Sequence, residues 1–354
     1  MSTRAAQPSG DDRLRQSAAE LWDAVSAGDE HSATGAVLRA LEDGADPESV
    51  LLDVIAPVQG QVGLEWAANR LSVAQEHAAT AINERVVAAL ALHPAARTDP
   101  SRGRITVACV DGEWHALPAR LLAEVLKLRG WQVDYLGAQV PSAHLITHLL
   151  LTDADAVALS SSIATRLPTA HAAITACQAV GVPVLVGGAA FGPGGRYARL
   201  LGADAWAPDA RAAADRLARS PLPRPRPDHQ QLDDLPHLAD QEYTLVARGS
   251  ASLVRTAFAA LEDAFPATRT YSDTQRERLA EDLAHIVEFL ATALYVGDAE
   301  LFTGFISWTA QVLTARGVPA QSLPPALDIL ACELKDFPRA TRILSSGRAQ
   351  LAAR

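Results

Sequence analysis

The run Ile105-Thr-Val-Ala-Cys-Val110, followed directly by Asp111-Gly-Glu-Trp-His-Ala-Leu-Pro118, decides the fold of this chain. It reads as a short apolar strand, a polar loop and the start of a helix. The same alternation of strand and helix continues to about residue 219, with further apolar runs at 132–136, 156–160, 182–186 and 205–207. This pattern predicts a Rossmann-like, doubly wound parallel sheet with helices on both faces.

The sequence on either side of this α/β segment is helical, so the fold class is multidomain α and α/β. Residues 1–12 are polar, and we expect a disordered tail there. Helical patterns at about 12–27, 31–43, 47–66 and 72–94 predict a four-helix-bundle cap over residues 13–98. The α/β domain then covers residues 103–219. A Pro-rich linker over 220–240 leads to an all-helical domain over 241–354.

The composition excludes several classes of partner. A net charge of −10 argues against nucleic acid, which favours a basic surface. Three cysteines without CxxC spacing indicate a reducing compartment and no zinc site. No apolar run approaches the ~20 residues of a membrane span. We therefore expect a soluble, cytoplasmic protein.

The loop from Asp111 to Leu117 contains the most informative candidate residues. In parallel sheets, ligands bind outside the carboxyl ends of the strands, and His115 follows such an end. Glu113 lies close enough in sequence to accept a hydrogen bond from the imidazole, which would orient it as a metal ligand. Ser160-Ser-Ser162 and Gly187-Gly188 end two other strands and suit a slot for a long polar ligand. The alternative is a structural or solvated loop histidine.

This combination resembles the cobalamin (B12)-binding module of methionine synthase, base-off mutases and corrinoid proteins. The resemblance implies that His115 is the lower cobalt ligand. It also implies that Ser160 and Ser162, with Gly187 and Gly188, hold the dimethylbenzimidazole tail. Two positions depart from the Asp-x-His-x-x-Gly motif of that family: Glu113 replaces the Asp, and Pro118 replaces the Gly. Pro118 falls in the first turn of a helix, where proline is tolerated.

A second motif lies in the predicted cap, where Trp66 is followed after nine residues by Glu76-His77. Ser72-Val-Ala-Gln75 is a capping box, so a helix should begin there and place Glu76 and His77 in its second turn. An ordinary helical corner with a core Trp and a surface Glu-His pair is the alternative. The motif resembles the W-x9-E-H signature of B12-dependent photoreceptors, including the MerR-type light-responsive repressors. The resemblance implies that Trp66 packs on the upper adenosyl group, that Glu76 bonds its ribose, and that His77 can ligate cobalt after photolysis.

The last domain resembles the globin-like, non-haem sensor domains related to phycobiliproteins, over His285–Asp298 and Leu301–Trp308. Together with the B12 half, this layout is similar to the photocobilins, which use B12 and a bilin such as biliverdin. The implied bilin contacts are His285, Phe289 and Trp308, with Cys332 as the candidate for covalent attachment. The same aromatic spacing also suits an ordinary helical core. A haem site would need His285 as its proximal ligand.

These resemblances predict a photosensor that binds adenosylcobalamin and a bilin, in which light breaks the Co–C bond and the protein changes conformation. No conventional catalytic motif occurs, so we do not expect an enzyme. The repressor members of the family carry an N-terminal helix-turn-helix domain, which we do not find here. The effector is then a protein that the sequence does not identify, and homodimerisation stays open. The alternatives are a corrinoid methyl carrier for a methyltransferase system and a haem-based gas sensor.

Overall fold

The computed structural model describes residues 9–225 and 235–353, which belong to two compact units. The first unit contains the helical cap and the sheet. The second unit is entirely helical over its described residues. Residues 1–8 of the predicted tail and 226–234 of the predicted linker lie outside the described residues.

Four helices form the cap, as predicted. They are α1 (Gly10–Ser26), α2 (Glu30–Glu42), α3 (residues 47–67) and α4 (Val73–Leu92). Each begins at a polar side chain that accepts a hydrogen bond from the backbone N–H three residues later, and these caps are Ser9, Asp29, Asp46 and Ser72. The predicted capping box at Ser72 is therefore confirmed.

Helix α3 contains an irregularity that the sequence did not predict. Over Val50–Ile55 it is π-helical, and the Ala56 N–H donates to the Leu51 carbonyl, five residues back. Such segments are rare in helices and are often found at functional sites. The helix resumes as Ala56–Ala67 and ends beside Trp66.

The α/β part alternates as predicted. Its strands are β1 (Arg104–Cys109), β2 (Gln132–Gly137), β3 (Ala156–Ser160), β4 (Val184–Gly187) and β5 (Ala205–Ala207). Its helices are α5 (Ala116–Leu128), α6 (Ser142–Thr152), α7 (Leu167–Ala179), α8 (Arg196–Leu200) and α9 (Ala210–Arg219). All strand pairs are parallel, in the order β2-β1-β3-β4-β5.

The register of the sheet positions the functional loops. Cys109 pairs with Ser160, and Ser160 pairs with Gly187, so β1, β3 and β4 end at the same level. The chain order reverses between β1 and β3, which is the topological switch point where doubly wound sheets bind ligands. The loops that carry His115, Ser161 and Gly188 are therefore neighbours.

The cap is joined to the α/β part by a shared core and by an ionic network. Apolar side chains of the cap helices pack in one cluster with those of α5, including Leu117 and Leu121. Arg129, directly after α5, donates to Glu48 of α3 from two nitrogens, at 2.8 and 2.7 Å, and to Asp215 of α9 at 2.5 Å. Because two parallel N–H···O bonds fix geometry as well as charge, Arg129 holds the start of α3 in one orientation.

Two predicted boundaries differ from the structure. The expected tail extended to residue 12, but the first helix begins at Gly10 because Ser9 and Asp12 form a capping box. The expected linker extended to residue 240, but Pro236–Asp240 form a short 3-10 helix. No helix among residues 9–225 and 235–353 is both long and apolar enough to cross a membrane.

The second unit contains five main helices, close to the predicted positions. They are α10 (Glu242–Ala264), α11 (Asp273–Val296), α12 (Ala299–Ala315), α13 (Leu323–Glu333) and α14 (Pro338–Ala352). The buried carboxylate of Glu242 accepts hydrogen bonds from the N–H groups of Arg339 and Ala340 at the start of α14. The all-helical character is as predicted, and the globin-like arrangement stays a prediction.

Candidate functional site

Glu113 is the buried centre of the site. Its side chain is fully buried, although it lies in a loop between a strand and a helix. One carboxylate oxygen accepts from the Nδ1 of His115 at 2.6 Å and from the backbone N–H of His115 at 2.9 Å. The other accepts from the backbone N–H groups of Ser162 and Ile163, at 2.6 and 3.0 Å, and from the Ser161 hydroxyl at 3.1 Å. One carboxylate therefore ties the loop after β1 to the loop after β3.

These hydrogen bonds keep Glu113 ionised. Burial alone would raise the pKa of its carboxyl group. The hydrogen bonds from the His115 side chain and from the backbone N–H groups of His115, Ser162 and Ile163 outweigh that effect and lower the pKa to about 2. A carboxylate anion therefore faces the imidazole at neutral pH.

The orientation of the His115 ring is fixed by this carboxylate. His115 lies immediately before α5, and its side chain is 45% exposed. Because Nδ1 is hydrogen-bonded to Glu113, Nε2 is the ring nitrogen that remains available to bind a metal. Pro118 is the third residue of α5, in the first turn, as the sequence indicated.

The thiol of Cys109 does not compete with this imidazole for a metal ion. Its sulfur lies 3.7 Å from the His115 carbonyl oxygen, at the end of β1. Burial raises the pKa of Cys109 to about 12, so the thiol stays protonated. In the described parts of the chain, no three His, Cys, Asp or Glu residues form a metal-binding group. A single imidazole suits a metal whose other ligands are supplied by a cofactor.

The loops after β3 and β4 are in close backbone contact at Gly188. Gly188 has a φ of +100°, and a Cβ there would lie 2.2 Å from the Ser161 carbonyl oxygen, so only glycine fits. The Ser161 N–H donates to the Gly187 carbonyl, and the Ala190 N–H donates to the Ser161 carbonyl. The predicted Ser160 and Ser162 lie at this edge, and their role toward a ligand stays a prediction.

Sequence reasoning missed Ser161. The three consecutive serines were a signal, but the resemblance to cobalamin-binding modules pointed to Ser160 and Ser162 only. The middle serine is fully buried, and its hydroxyl donates to Glu113. Its function is to hold the carboxylate that orients His115.

The cap corner brings Glu76 and His77 together. The Nδ1 of His77 lies 2.9 Å from a Glu76 carboxylate oxygen and 2.8 Å from the Val73 carbonyl oxygen, and its side chain is 74% exposed. The other Glu76 oxygen accepts from the Thr80 hydroxyl at 2.8 Å. Trp66, at the end of α3, is half-buried. The corner therefore presents an aromatic ring, a carboxylate and an accessible imidazole.

The C-terminal candidates form a stripe on the second unit. The rings of Phe289 and Phe305 stack in parallel with centroids 3.7 Å apart, and Trp308 lies 6.4 Å from Phe305 and is 45% exposed. His285 is exposed, one helical turn before Phe289 on α11. This aromatic stripe, Phe289–Phe305–Trp308, is a half-exposed surface, so these residues are not a fully buried core.

Glu113 should make the stability of the wild-type chain depend on pH in a defined window. The lowered pKa adds stability that is complete above the ordinary value near 4.5 and is lost as the pH falls through about 2. By linkage this contribution is roughly 3 kcal/mol at neutral pH. We expect Glu113→Gln to lower the free energy of unfolding by about that amount at pH 7. The difference from wild type should shrink toward zero between about pH 4.5 and 2.

Urea unfolding of the ligand-free chain at a series of pH values measures this difference. Glu20→Gln is the matched control, because Glu20 pairs with Arg39 at 3.2 Å on an exposed surface. It should change the unfolding free energy little at any pH. A Glu113→Gln deficit that stays constant below pH 4 would contradict the assignment of the buried anion.

Comparison with known proteins identifies the class of ligand. A B12 binding domain family model matches residues 103–218, and a second B12 binding domain model matches residues 17–91. The HTH-type transcriptional repressor CarA of Myxococcus xanthus is 33% identical over 207 residues, which are 53% of this chain and 65% of that protein. The chain thus spans less than two thirds of that repressor.

Two corrinoid proteins are also similar. Dimethylamine corrinoid protein 1 of Methanosarcina acetivorans is 27% identical over 186 residues, which are 50% of this chain and 86% of that protein. The structure of the Methanosarcina barkeri monomethylamine corrinoid protein aligns with a TM-score of 0.51 at 18% identity, covering 58% of this chain and 98% of that one. This likeness shows the fold. With both family matches, it follows that the chain contains a cobalamin-binding module made of a helical cap and a parallel sheet.

Proposed function

We propose that this chain is a light sensor that binds adenosylcobalamin through its first unit and a bilin such as biliverdin through its second. The observation that carries the proposal is the Glu113–His115 pair at the carboxyl edge of the sheet, in a unit whose helical cap carries Trp66, Glu76 and His77. When bound, adenosylcobalamin supplies a Co–C bond that light breaks. The protein supplies binding, orientation and the conformational response.

The residues at the sheet edge fit a cobalamin. His115 offers one oriented imidazole nitrogen, and the ionised Glu113 strengthens it as a ligand. Gly188 lets the backbone of Ser161 approach closely, so the loops after β3 and β4 form one edge beside which a ligand tail would lie, next to Gly187. In this proposal Ser160 and Ser162 border the same tail.

The residues of the cap corner define the upper side. Trp66 would cover the adenosyl group, and Glu76 would accept hydrogen bonds from its ribose hydroxyls. His77 has an exposed ring and would be available to ligate cobalt. A carboxylate at this position can accept hydrogen bonds from ribose hydroxyls, whereas a methyl group offers it no hydrogen-bond donor.

Helix α5 connects the ligand to the cap. It begins directly after His115, packs on the cap core, and ends at Arg129, which bonds Glu48 of the cap. A movement of His115 therefore reaches the cap through a rigid element. The resulting shift between two arrangements is the signal that an effector protein reads.

Illumination of the cobalamin complex tests this proposal. The full chain is mixed with adenosylcobalamin in the dark, and absorption spectra are recorded before and after green light. We expect a protein-dependent spectral change that is absent from free cofactor. We expect His115→Ala to lose the spectrum of the imidazole-ligated complex, and His77→Ala to alter only the spectrum after light.

The control for this experiment is His144→Ala, because His144 is an exposed histidine on α6. It should behave like wild type in the dark and after illumination. A light response identical to that of free adenosylcobalamin would contradict the light-sensor function.

A corrinoid methyl carrier for a methyltransferase system is the alternative, and the similarity to two corrinoid proteins supports it. In a carrier His115 keeps its role, but Trp66 is packing only. Demethylation of bound methylcobalamin by an added methyl acceptor would favour the carrier, provided that the Trp66→Ala variant demethylates at the same rate as wild type.

The aromatic stripe supports the bilin part of the proposal. A bilin needs an apolar surface and a polar group for its pyrrole nitrogens, and Trp308 and His285 supply these on α12 and α11. Cys332 on α13 is exposed and would allow covalent attachment. Arg276 is already paired with Glu262 at 2.6 Å, so its charge is partly neutralised toward a propionate.

Titration of the full chain with biliverdin in the dark tests this second site. We expect a red-shifted bilin band, and about tenfold weaker binding in Trp308→Ala because a stacking surface is lost. Leu245→Ala, an exposed apolar change on α10 of the same unit, is the control. A bilin band unchanged by Trp308→Ala would contradict the site. A Soret band with added haem, abolished by His285→Ala, would favour the haem-based gas sensor.

A further inference from the structure

A chain of partly buried hydrogen bonds leads through the cap to Glu76. The side-chain amide of Asn83 on α4 donates to the Gln59 carbonyl oxygen on α3 at 2.8 Å. The Gln59 amide donates to the Thr80 hydroxyl oxygen at 2.8 Å, and that hydroxyl donates to Glu76 at 2.8 Å. We call this Asn83–Gln59–Thr80–Glu76 series the relay.

The charge of Glu76 fixes the direction of every bond in the relay. An ionised carboxylate only accepts, so Thr80 must give it its single proton. The Thr80 oxygen must then accept from the Gln59 amide nitrogen. This orientation turns the Gln59 oxygen toward the Asn83 amide nitrogen. All four side chains are therefore held in one orientation, in which each hydrogen bond is donated in the direction of the Glu76 carboxylate.

The relay lowers the stability of the fold at Asn83, the end opposite Glu76. Asn83 is fully buried, and its carbonyl oxygen has no hydrogen-bond partner among the described residues. Leaving a buried acceptor unpaired typically costs about 1–3 kcal/mol. An apolar side chain at this buried position would avoid that cost, so stability alone does not explain the amide.

The relay joins the two helices that carry the cap corner. Glu76, Thr80 and Asn83 are spaced by four and three residues, so they share one face of α4. Gln59 is seven residues before Trp66, two turns along the same face of α3. A single cross-helix amide thus sets both the spacing of the helices and the orientation of the carboxylate.

From this geometry we infer that Gln59, Thr80 and Asn83 are positioning residues that hold Glu76 for a hydroxyl-bearing upper ligand and so make the cap select adenosyl- over methylcobalamin. The inference rests on the proposed function, in which Glu76 bonds the ribose. Thr80 occupies one Glu76 oxygen and restricts its rotation. The second Glu76 oxygen lies 2.9 Å from His77 Nδ1 and keeps a further lone pair, so it is held in place to bind the ribose at a lower entropic cost.

Dissociation constants of the full chain for adenosylcobalamin and methylcobalamin, measured by spectral titration in the dark, test the inference. Thr80→Val keeps the shape but removes the donor. We expect about tenfold weaker binding of adenosylcobalamin, the size of one charge-assisted hydrogen bond, and little change for methylcobalamin. Thr80→Ser restores the hydroxyl and should restore the preference.

Two further variants distinguish an effect of the relay from a general loss of folding. Gln59→Met cuts the relay at a half-buried position and should reduce the preference as Thr80→Val does. Thr147→Val is the matched control, because its hydroxyl only bonds a carbonyl of its own helix at 2.9 Å. It should leave both dissociation constants unchanged.

The outcomes separate the inference from the proposed function. If wild-type protein shows no preference for adenosylcobalamin, the proposed role of Glu76 fails, and the inference fails with it. If wild type has the preference and both Thr80→Val and Gln59→Met retain it, only the inference is overturned. If methylcobalamin binding falls equally in these variants, the relay is structural and the inference is also overturned.

Discussion

The buried carboxylate of Glu113 is the interaction on which the site depends. An unpaired buried anion would be very costly, and Glu113 is stable only because five donors from two loops converge on it. The requirement is mutual. The Ser162 and Ile163 N–H groups would lack a partner without the carboxylate, and the His115 ring would have no fixed orientation. The position of the imidazole is therefore set by the sheet, since the strand register brings the two loops together.

This constraint extends to the cap through α5 and Arg129. The cap touches the sheet domain through an apolar core and a charged network at the end of α5 away from His115. An apolar core resists a change of volume, whereas an ionic network fixes orientation. The π-helical Val50–Ile55 segment lies directly after the Glu48 contact and before the helix that carries Trp66. The cap is thus anchored at one end of α3, and Trp66 lies at the other end.

The sequence predicted the parts of the molecule that depend on local patterns. The apolar runs of the strands, the Ser72 capping box and the strand-end placement of His115 are all short-range signals, and the structure agrees with them. What it did not predict depends on distant partners. Arg129 meets Glu48 across 81 positions, and Gln59 meets Asn83 across 24. Neither pair has a local signature. The bilin site stays a prediction because its aromatic spacing is also that of any helical core.

In the proposed function, the imidazole of His115, oriented by Glu113, is the protein's ligand to cobalt. The most direct measurement is the EPR spectrum of the paramagnetic Co(II) form of bound cobalamin, in natural-abundance and in uniformly ¹⁵N-labelled protein. We expect a triplet splitting from a coordinated nitrogen that becomes a doublet on labelling the protein and disappears in His115→Ala. A triplet that labelling does not change would mean that the nitrogen belongs to the cofactor's own base. That result would contradict the account.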